Sequence, residues 1–147
     1  MLRIDVIAVG KLKERFWKEA CEEYLKRLGA YAKVSVRELA DSTPEQEATL
    51  IENALPAGAH VVLLDISGTQ TSSEQLASHI EELAVSGTSH LVFIIGGSDG
   101  VAPRITAASN ERLSFGPITL PHNLARIVLL EQLYRAFKIN RGEPYHK

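Results

Sequence analysis

Strand and helix signals alternate along this chain, and this alternation limits the possible folds more than any other feature. Residues 2–9 are apolar and β-branched and stop at Gly10, which predicts a first strand. Comparable strand signals follow at five further places, namely 34–36, 60–66, 91–95, 113–115 and 118–120. Because amphipathic helical segments separate most of these strands, we expect an α/β fold with a mostly parallel sheet of five to six strands between helices.

Capping residues mark where the helices begin. A hydroxyl residue before Pro44 opens the second helix, and the serine pair at 72–73 opens the third after a turn at Ser67–Gly68. The last helix covers about residues 124–139. No repeat, low-complexity tract or linker interrupts the pattern, so residues 1–147 are expected to form a single domain.

The last helix is apolar on most of its circumference. Eleven of its sixteen residues are Leu, Ile, Val, Ala, Phe or Tyr. A surface helix that packs on a sheet needs only one apolar stripe, so a helix of this kind must be covered on several sides. We therefore predict a homodimer with this helix in the interface, with a central helix inside a single chain as the alternative.

Charge is distributed unevenly between three parts of the chain. Residues 1–40 carry nine basic and six acidic side chains, and residues 101–147 carry seven basic and three acidic ones. Residues 41–100 contain nine acidic side chains and no Lys or Arg. The overall net charge of −2 therefore hides two basic ends, which are compatible with a nucleic-acid partner.

Several protein classes are inconsistent with the composition. The longest apolar run has five residues, 91–95, so no segment is long enough to span a membrane. The N-terminus lacks the apolar region of a signal peptide, and Cys21 is the only cysteine, which excludes an internal disulfide. The five histidines show no metal-ligand spacing, so we expect no metal, and a cytoplasmic location is the simplest interpretation.

A glycine-rich segment, Gly96-Gly97-Ser98-Asp99-Gly100, directly follows the most apolar strand. Ligands of open α/β sheets bind at the carboxyl ends of the strands, and glycines there let a ligand approach the backbone closely. The spacing differs from the dinucleotide-binding pattern, and no phosphate-binding P-loop motif occurs. Because residues 41–103 contain no Lys or Arg, a ligand without phosphate, such as S-adenosylmethionine, fits better than a nucleotide. A plain turn without a ligand is the other possibility.

The same segment also matches G-x-S-x-G, the nucleophile motif of α/β-hydrolases, with Ser98 as the nucleophile. Glu111 or Glu131, followed by His122 or His146, would complete a catalytic triad in the expected chain order. Little sheet remains after the motif, which argues against a hydrolase. A serine esterase is therefore kept as the alternative enzyme class, and a non-catalytic RNA-binding dimer as the alternative outside enzymes.

Six segments form an ordered set that extends over essentially the whole chain: Val6–Lys11, Leu64–Ile66, Phe93–Gly100, Leu113–His122, Leu130–Lys138 and Arg141–Lys147. Together they resemble the SPOUT methyltransferases, and within them the family that methylates N3 of a pseudouridine in 23S rRNA. Residues 40–60 are the least diagnostic part. This segment is shorter than in the family, which leaves a surface helix there in doubt.

The resemblance implies a SPOUT fold with a deep trefoil knot at the C-terminal side, the knot and cofactor site lying in about residues 60–147. It implies S-adenosylmethionine as the methyl donor, bound bent within the knot, and no metal. It also implies a homodimer whose substrate is helix 69 of 23S rRNA on the assembled ribosome. The family does not require the serine of the glycine segment, which disfavours Ser98 as a nucleophile. The implied cofactor-binding residues are Leu64, Gly96, Phe115, Gly116, Pro117, Ile118, Thr119 and Leu120.

Methyl transfer to N3 of a pseudouridine requires that the N3 proton leave, so a base or a group that stabilises the developing anion is needed. The candidates are His146, Tyr145, Arg135 and Lys147, acting in their own chain or on the partner's cofactor. We expect His146 to lie nearest the target base and Arg135 to act by its charge or by contacting phosphate. At this stage the group that takes the proton stays open.

Overall fold

The computed structural model describes residues 1–147 and confirms the alternation of strands and helices. Ten elements follow one another along the chain. In order they are β1 (Arg3–Val9), α1 (Arg15–Leu28), β2 (Lys33–Leu39), α2 (Pro44–Ala54), β3 (His60–Gln70), α3 (Ser73–Val85), β4 (His90–Ile95), α4 (Pro103–Ala108), β5 (Glu111–Ser114) and α5 (His122–Asn140).

The five strands form one sheet in the order β2-β1-β4-β3-β5, and every neighbouring pair is parallel. Leu91 in the central strand β4 lies opposite Ile4 of β1 on one side and His60 of β3 on the other. The expected five- to six-stranded parallel sheet is therefore present with five strands. The extended piece predicted at 118–120 is not a strand, because the chain there turns along the carboxyl edge of the sheet instead of pairing with it.

Helices cover both faces of the sheet. Alternate residues of β1 point to opposite sides, with Ile4 and Val6 packed in one apolar cluster and Ile7 and Val9 in another. The first cluster also contains residues of α1, α3 and α5, and the second contains residues of α2 and α4. A parallel sheet that is buried on both faces requires nearly continuous apolar strands, which explains the composition of β1 and β4.

The helix caps expected from the sequence are present. The Thr43 side chain accepts a hydrogen bond from the backbone N–H of Gln46 at the start of α2. Ser72 and Gln75 form a reciprocal capping box at the start of α3. The surface helix that the short segment at 40–60 left in doubt therefore exists as α2.

The turn expected at Ser67–Gly68 is wrong, because β3 continues through it to Gln70. Leu113 of β5 pairs with both Leu64 and Thr69, so the intervening residues of β3 bulge away from the ladder. A Cβ on Gly68 would lie 2.8 Å from backbone atoms of Arg112, so glycine permits this close approach of the two strands.

The helix α5 packs between α1 and α3 and buries Leu129, Leu130 and Leu133. The other helices of the same chain therefore cover part of the apolar surface of α5 on which the homodimer was predicted. Leu124 and Val128 on α5 are only half-buried. The homodimer stays a prediction, as does the trefoil knot. None of the helices has the combination of length and apolar character that crossing a membrane requires.

Candidate functional site

A cavity of about 720 Å³ opens where β3, β4 and β5 end. Because all three strands are parallel, their carboxyl ends meet at one edge of the sheet, where open α/β sheets bind ligands. The segments after β4 and β5 form two of its walls, and the start of α5 forms a third. Nothing in the periodicity of a single strand reveals this convergence, which depends on the strand order.

All the predicted cofactor-binding residues except Pro117 line this cavity, although they come from separate parts of the chain. Pro117 is exposed and lies outside the lining. The exposed side chains of Ile66 and Ile118 border the same opening. The lining residues among the predicted set are Leu64, Gly96, Phe115, Gly116, Ile118, Thr119 and Leu120.

Two glycines let the backbone form the cavity walls. A Cβ on Gly96 would lie 2.6 Å from Cγ1 of Val101, so the chain can fold back after β4 only if residue 96 has no side chain. Gly116 has a φ angle of 107°, in the left-handed region that strains every residue with a Cβ. Both turns around the cavity therefore depend on glycine for a local geometric reason.

The cavity wall carries little charge. Asp65 and His122 are its only titratable side chains, and it contains no Lys or Arg. The Asp65 carboxylate accepts hydrogen bonds from the backbone N–H of Ser67 at 2.9 Å and from the Arg112 guanidinium at 3.2 Å. A mainly apolar wall with a few polar groups suits a small organic ligand that has no phosphate.

The C-terminal segment packs against α5 and brings three of the predicted catalytic residues together. The Tyr145 hydroxyl and Nη2 of Arg135 both donate hydrogen bonds to Oε2 of Glu131, at 2.9 and 2.8 Å. Nη1 of Arg135 lies 3.0 Å from Nδ1 of His146, and Nε2 of His146 forms a hydrogen bond with Glu74. We call these five residues, Glu74, Glu131, Arg135, Tyr145 and His146, the tail cluster.

The tail cluster fixes the protonation of its members. Burial raises the pKa of Glu131, but hydrogen bonds from Arg135 and Tyr145 outweigh it and lower the pKa below the usual range. Burial and the hydrogen bond to Glu131 raise the pKa of Tyr145 to about 12, so its phenol keeps its proton at neutral pH. The hydrogen bond to Glu131 also raises the pKa of Arg135. Because a guanidinium can only donate, Nδ1 of His146 is the accepting nitrogen of its ring.

Lys147 is exposed and forms no ion pair within the chain, so the structure does not bring this fourth predicted catalytic residue into the tail cluster. None of the tail-cluster residues lines the cavity of its own chain. Along α5 the last cavity-lining residue is Ala125 and the first tail-cluster residue is Glu131, six positions and about 9 Å further along the helix at 1.5 Å per residue.

The geometry does not assemble the triad of an α/β-hydrolase. Ser98 is exposed and makes no hydrogen bond with a histidine. Glu111 begins β5 at the opposite edge of the sheet from Ser98, and Glu131 is engaged by Arg135 and Tyr145. Without a base next to the hydroxyl, Ser98 lacks the activation that nucleophilic catalysis requires.

Replacement of Ser98 by alanine is expected to leave the protein folded, because substitutions at exposed positions usually change the free energy of unfolding by less than about 0.5 kcal/mol. Methyl transfer is expected to persist, because Ser98 lies on the cavity wall but its hydroxyl has no neighbouring base. Methyl transfer and hydrolysis of a p-nitrophenyl ester, measured side by side for both proteins, test this expectation. Ester hydrolysis by the unmodified chain that disappears in Ser98→Ala would restore the hydrolase interpretation.

Glu74 is absent from the site residues predicted from the sequence, and Glu131 is predicted only as a possible acid of the hydrolase triad. The spacing of Glu131 and Arg135, four residues apart on a helix, is a signal that could have paired them. Glu74 contacts His146 across 72 residues of sequence, and no local pattern predicts such a contact.

Comparisons with known proteins agree with the fold. A family model described as "Predicted SPOUT methyltransferase" matches residues 2–146. Two proteins named ribosomal RNA large subunit methyltransferase H, from Bacillus cytotoxicus and Bacillus thuringiensis, are each 48% identical to the chain over 159 residues. These alignments cover 99% of this chain and 100% of each relative.

Among solved structures, a probable methylase family protein from Haemophilus influenzae Rd KW20 is similar in fold, with a TM-score of 0.54 and 11% identity. The match covers 95% of this chain and 66% of that protein, just under two thirds of its length. At this level of identity the likeness concerns the fold alone.

Proposed function

The chain belongs to the SPOUT methyltransferase family, and from this membership we propose that it methylates rRNA with S-adenosylmethionine as the methyl donor. The proposed target is N3 of a pseudouridine in helix 69 of 23S rRNA, on the assembled ribosome in the cytoplasm. The full-length relatives named as large-subunit rRNA methyltransferases support the rRNA substrate. The observation that carries the proposal is the convergence of the predicted cofactor residues on one cavity.

The residues around the cavity fit S-adenosylmethionine. When bound, this cofactor supplies an electrophilic methyl group on a positively charged sulfur. Gly96 lies on the cavity wall at the end of β4, and Leu64 and Leu120 offer apolar surface for an adenine ring. A wall without Lys or Arg avoids repulsion of the positive sulfonium, and Asp65 is its one carboxylate.

The tail cluster is the proposed source of the catalytic groups. The Tyr145 phenol stays protonated because its pKa is about 12, and Lys and Arg side chains are already protonated at neutral pH. The remaining member with a lone pair on nitrogen is the imidazole, so we assign the role of proton acceptor to His146. Nδ1 is the accepting nitrogen, and proton uptake there requires Arg135 to release it. The freed Nη1 can then stabilise negative charge on the target base, while Nε and Nη2 stay on Glu131.

Because no tail-cluster residue lines the cavity of its own chain, the structure is compatible with a site made by two chains. In that arrangement the tail cluster of one protomer faces the cavity of its partner. Ile66 and Ile118, at the edge of the cavity, are 53% and 75% exposed, and a second chain would cover such large apolar side chains. We therefore propose that the active form is a homodimer with two composite sites.

The test of the proposed function is transfer of a tritiated methyl group from S-adenosylmethionine to ribosomes that lack the modification, followed by identification of the labelled base. We expect label at N3 of one pseudouridine. A matched control is Thr119→Trp, because Thr119 is exposed on the cavity wall and an indole there would fill the cavity without disturbing the core. Label on another base would contradict the proposed target, and no label at all would contradict the proposed activity.

A non-catalytic RNA-binding dimer predicts a different result. Such a protein would bind ribosomes, but S-adenosylmethionine would not raise its melting temperature. A methyltransferase that binds the ligand only in its folded state is stabilised by RT ln(1 + [L]/Kd), about 2.7 kcal/mol when the ligand is at 100 times its Kd. A thermal shift in wild type that is absent in Thr119→Trp therefore separates the two possibilities.

Basic side chains near the C-terminus form the proposed RNA-binding surface. Lys138 and Arg141 lie over the Tyr31 ring, with the Lys138 nitrogen 5.5 Å and the Arg141 guanidinium carbon 4.6 Å from its centre. Arg135 lies 4.8 Å from the centre of the Tyr145 ring. Because aromatic rings hold these cations in place, less side-chain freedom is lost when they contact phosphate.

A fourfold variant tests this surface, in which glutamine replaces Arg135, Lys138, Arg141 and Lys147. We expect this variant to bind ribosomes more weakly and to show a smaller dependence of binding on salt concentration. Each phosphate contact contributes about 0.7 to 0.9 to the slope of log K against log salt, so four lost contacts should reduce the slope by about 3. Arg104→Gln is the matched control, because Arg104 pairs with Glu45 and Glu52 on α2, on the other face of the sheet. An unchanged slope in the fourfold variant would exclude this surface as the RNA contact.

A further inference from the structure

His60, His79 and Glu111 meet at the edge of the sheet opposite the cavity. They come from three elements, since His60 begins β3, Glu111 begins β5 and His79 lies within α3. Nε2 of His60 is 2.5 Å and Nε2 of His79 is 2.7 Å from the same carboxylate oxygen, Oε2 of Glu111. One ligand atom from each of the three side chains lies within 4.8 Å of the other two.

We propose that His60, His79 and Glu111 bind one divalent transition-metal ion of the zinc type. Two imidazoles and one carboxylate are a donor set that Zn²⁺ uses in proteins, with a fourth position open to water. Imidazole nitrogen favours Zn²⁺, Co²⁺ and Ni²⁺ over the hard cations Mg²⁺ and Ca²⁺. The site involves neither the cavity nor the tail cluster, so it stands independently of the proposed methyl transfer.

The geometry allows an ion to enter with small movements. Tetrahedral Zn²⁺ at about 2.0–2.1 Å from each ligand atom separates those atoms by about 3.3 Å, so each nitrogen must retreat from Glu111 by about 0.7 Å. The three side chains are partly exposed, at 23%, 41% and 30% for His60, His79 and Glu111, so they have room to move. A cavity of about 340 Å³ beside His79 and Glu111 leaves space for water in the fourth position.

The protons of the cluster can be rearranged at little cost. Without a metal, each ring donates its Nε2 proton to Glu111, and on metal binding that proton moves to Nδ1 of the same ring. Neither Nδ1 has a hydrogen-bond partner within the protein, so the change of tautomer breaks no other contact.

Metal binding here would stabilise the edge strand of the sheet. The strand β5 is the last in the order and has only four residues, and it leads directly into the segment 115–120 that lines the cavity. One ion would join the first residue of β5 to the first residue of β3 and to α3. We therefore expect Zn²⁺ to raise the melting temperature as well as to bind.

The experiment is a Zn²⁺ titration of the untagged, chelator-treated full chain by calorimetry, with the melting temperature and the visible spectrum of the Co²⁺ form as further readouts. We expect one ion per chain and the absorption bands of tetrahedral Co²⁺. His60→Gln, His79→Gln and Glu111→Gln should each weaken binding by more than about tenfold, since even partners that only orient a ligand change affinity by about 10- to 100-fold.

His90→Gln is the matched control. Nε2 of His90 donates to Asp5 at 2.7 Å, but the other carboxylate oxygen of Asp5 accepts from Ser35, so this pair has no second histidine. Binding that is intact in His90→Gln and lost in His79→Gln supports the site, and His79 is exposed enough for its variant to keep the fold, which circular dichroism checks. The proposal is overturned if wild type binds no stoichiometric Zn²⁺, or if binding survives both His60→Gln and His79→Gln.

Discussion

A chain that ends at Pro144 is expected to bind S-adenosylmethionine as the full chain does and to lose methyl transfer to rRNA. The deletion removes Tyr145 and His146 from the tail cluster but touches no residue of the cavity wall. General acid–base groups contribute about 10²- to 10⁴-fold to a rate, so we expect a loss of at least about 100-fold. Tritiated methyl transfer measures the activity, and calorimetry with S-adenosylmethionine measures the binding.

Single substitutions separate the roles within the deleted segment. His146→Asn removes the proposed proton acceptor, while Tyr145→Phe removes only a hydroxyl that supports Glu131. We therefore expect the first to lower the rate by at least about 100-fold and the second to lower it by a smaller factor. Unchanged turnover by the truncated chain would refute the catalytic role of the whole segment.

Mixed dimers test whether the tail acts on the partner's cavity. The truncated chain keeps its cavity, and the Thr119→Trp chain keeps its tail cluster, so each is expected to be inactive alone. When the two are co-expressed, a composite site forms from the intact cavity of one protomer and the intact tail of the other. Recovery of activity is the expected result, and its absence, with both chains shown to dimerise, would mean that each tail acts within its own chain.

Local patterns predicted the elements of this fold because each of them depends on neighbouring residues. The hydroxyl residue before Pro44 and the capping box from Ser72 to Gln75 specify helix starts within four residues. The bulge in β3 depends instead on the approach of Arg112 to Gly68, 44 positions earlier in the chain, and a turn at Ser67–Gly68 was the natural but wrong expectation. Sequence patterns identify elements, whereas their mutual contacts alter the boundaries.

The same distinction applies to the sites. The cavity residues could be grouped only through the resemblance to a family, because they follow β3, β4 and β5 and meet through strand order. The cluster of His60, His79 and Glu111 had no signal at all, since its members are 19, 32 and 51 residues apart in pairs and match no ligand motif. The contact between Glu74 and His146 likewise could not be predicted from the sequence, because the two residues are 72 positions apart.

Arg126 is the clearest residue whose role no pattern indicates, and its replacement by methionine should be strongly destabilising. Its side chain is 2% exposed, although it stands in an otherwise apolar helix. Nη1 donates to Glu38 at 2.6 Å and Nη2 to the backbone carbonyl of Gly10 at 3.1 Å, so it joins α5 to the ends of β1 and β2. Methionine would keep the apolar volume but leave Glu38 and the carbonyl without their partner.

We expect Arg126→Met to lower the free energy of unfolding by about 3 kcal/mol, since removing one partner of a buried pair costs about 3–5 kcal/mol and Glu38 is 33% exposed. For a chain of this size the melting temperature should fall by about 6–12 °C. Arg104→Gln, which breaks exposed ion pairs with Glu45 and Glu52, should cost no more than about 1 kcal/mol. An equal decrease in the free energy of unfolding in the two variants would show that the buried position of Arg126 contributes no additional stability.

The titration of Glu38 makes the difference in free energy of unfolding between wild type and Arg126→Met depend on pH. Burial raises its pKa, but hydrogen bonds from Arg126 and from the backbone N–H of Leu12 outweigh it and lower the pKa below the ordinary 4.5. A carboxyl group with a lowered pKa stabilises the folded state above its unfolded pKa, and this stabilisation disappears as the pH falls through its folded pKa. Urea denaturation should therefore show the gap between wild type and Arg126→Met narrowing below pH 4.5. In a Glu38→Gln background the gap should not narrow, because the group that titrates is absent. If the gap stays constant down to pH 3 while Glu38 is present, another interaction of Arg126 dominates.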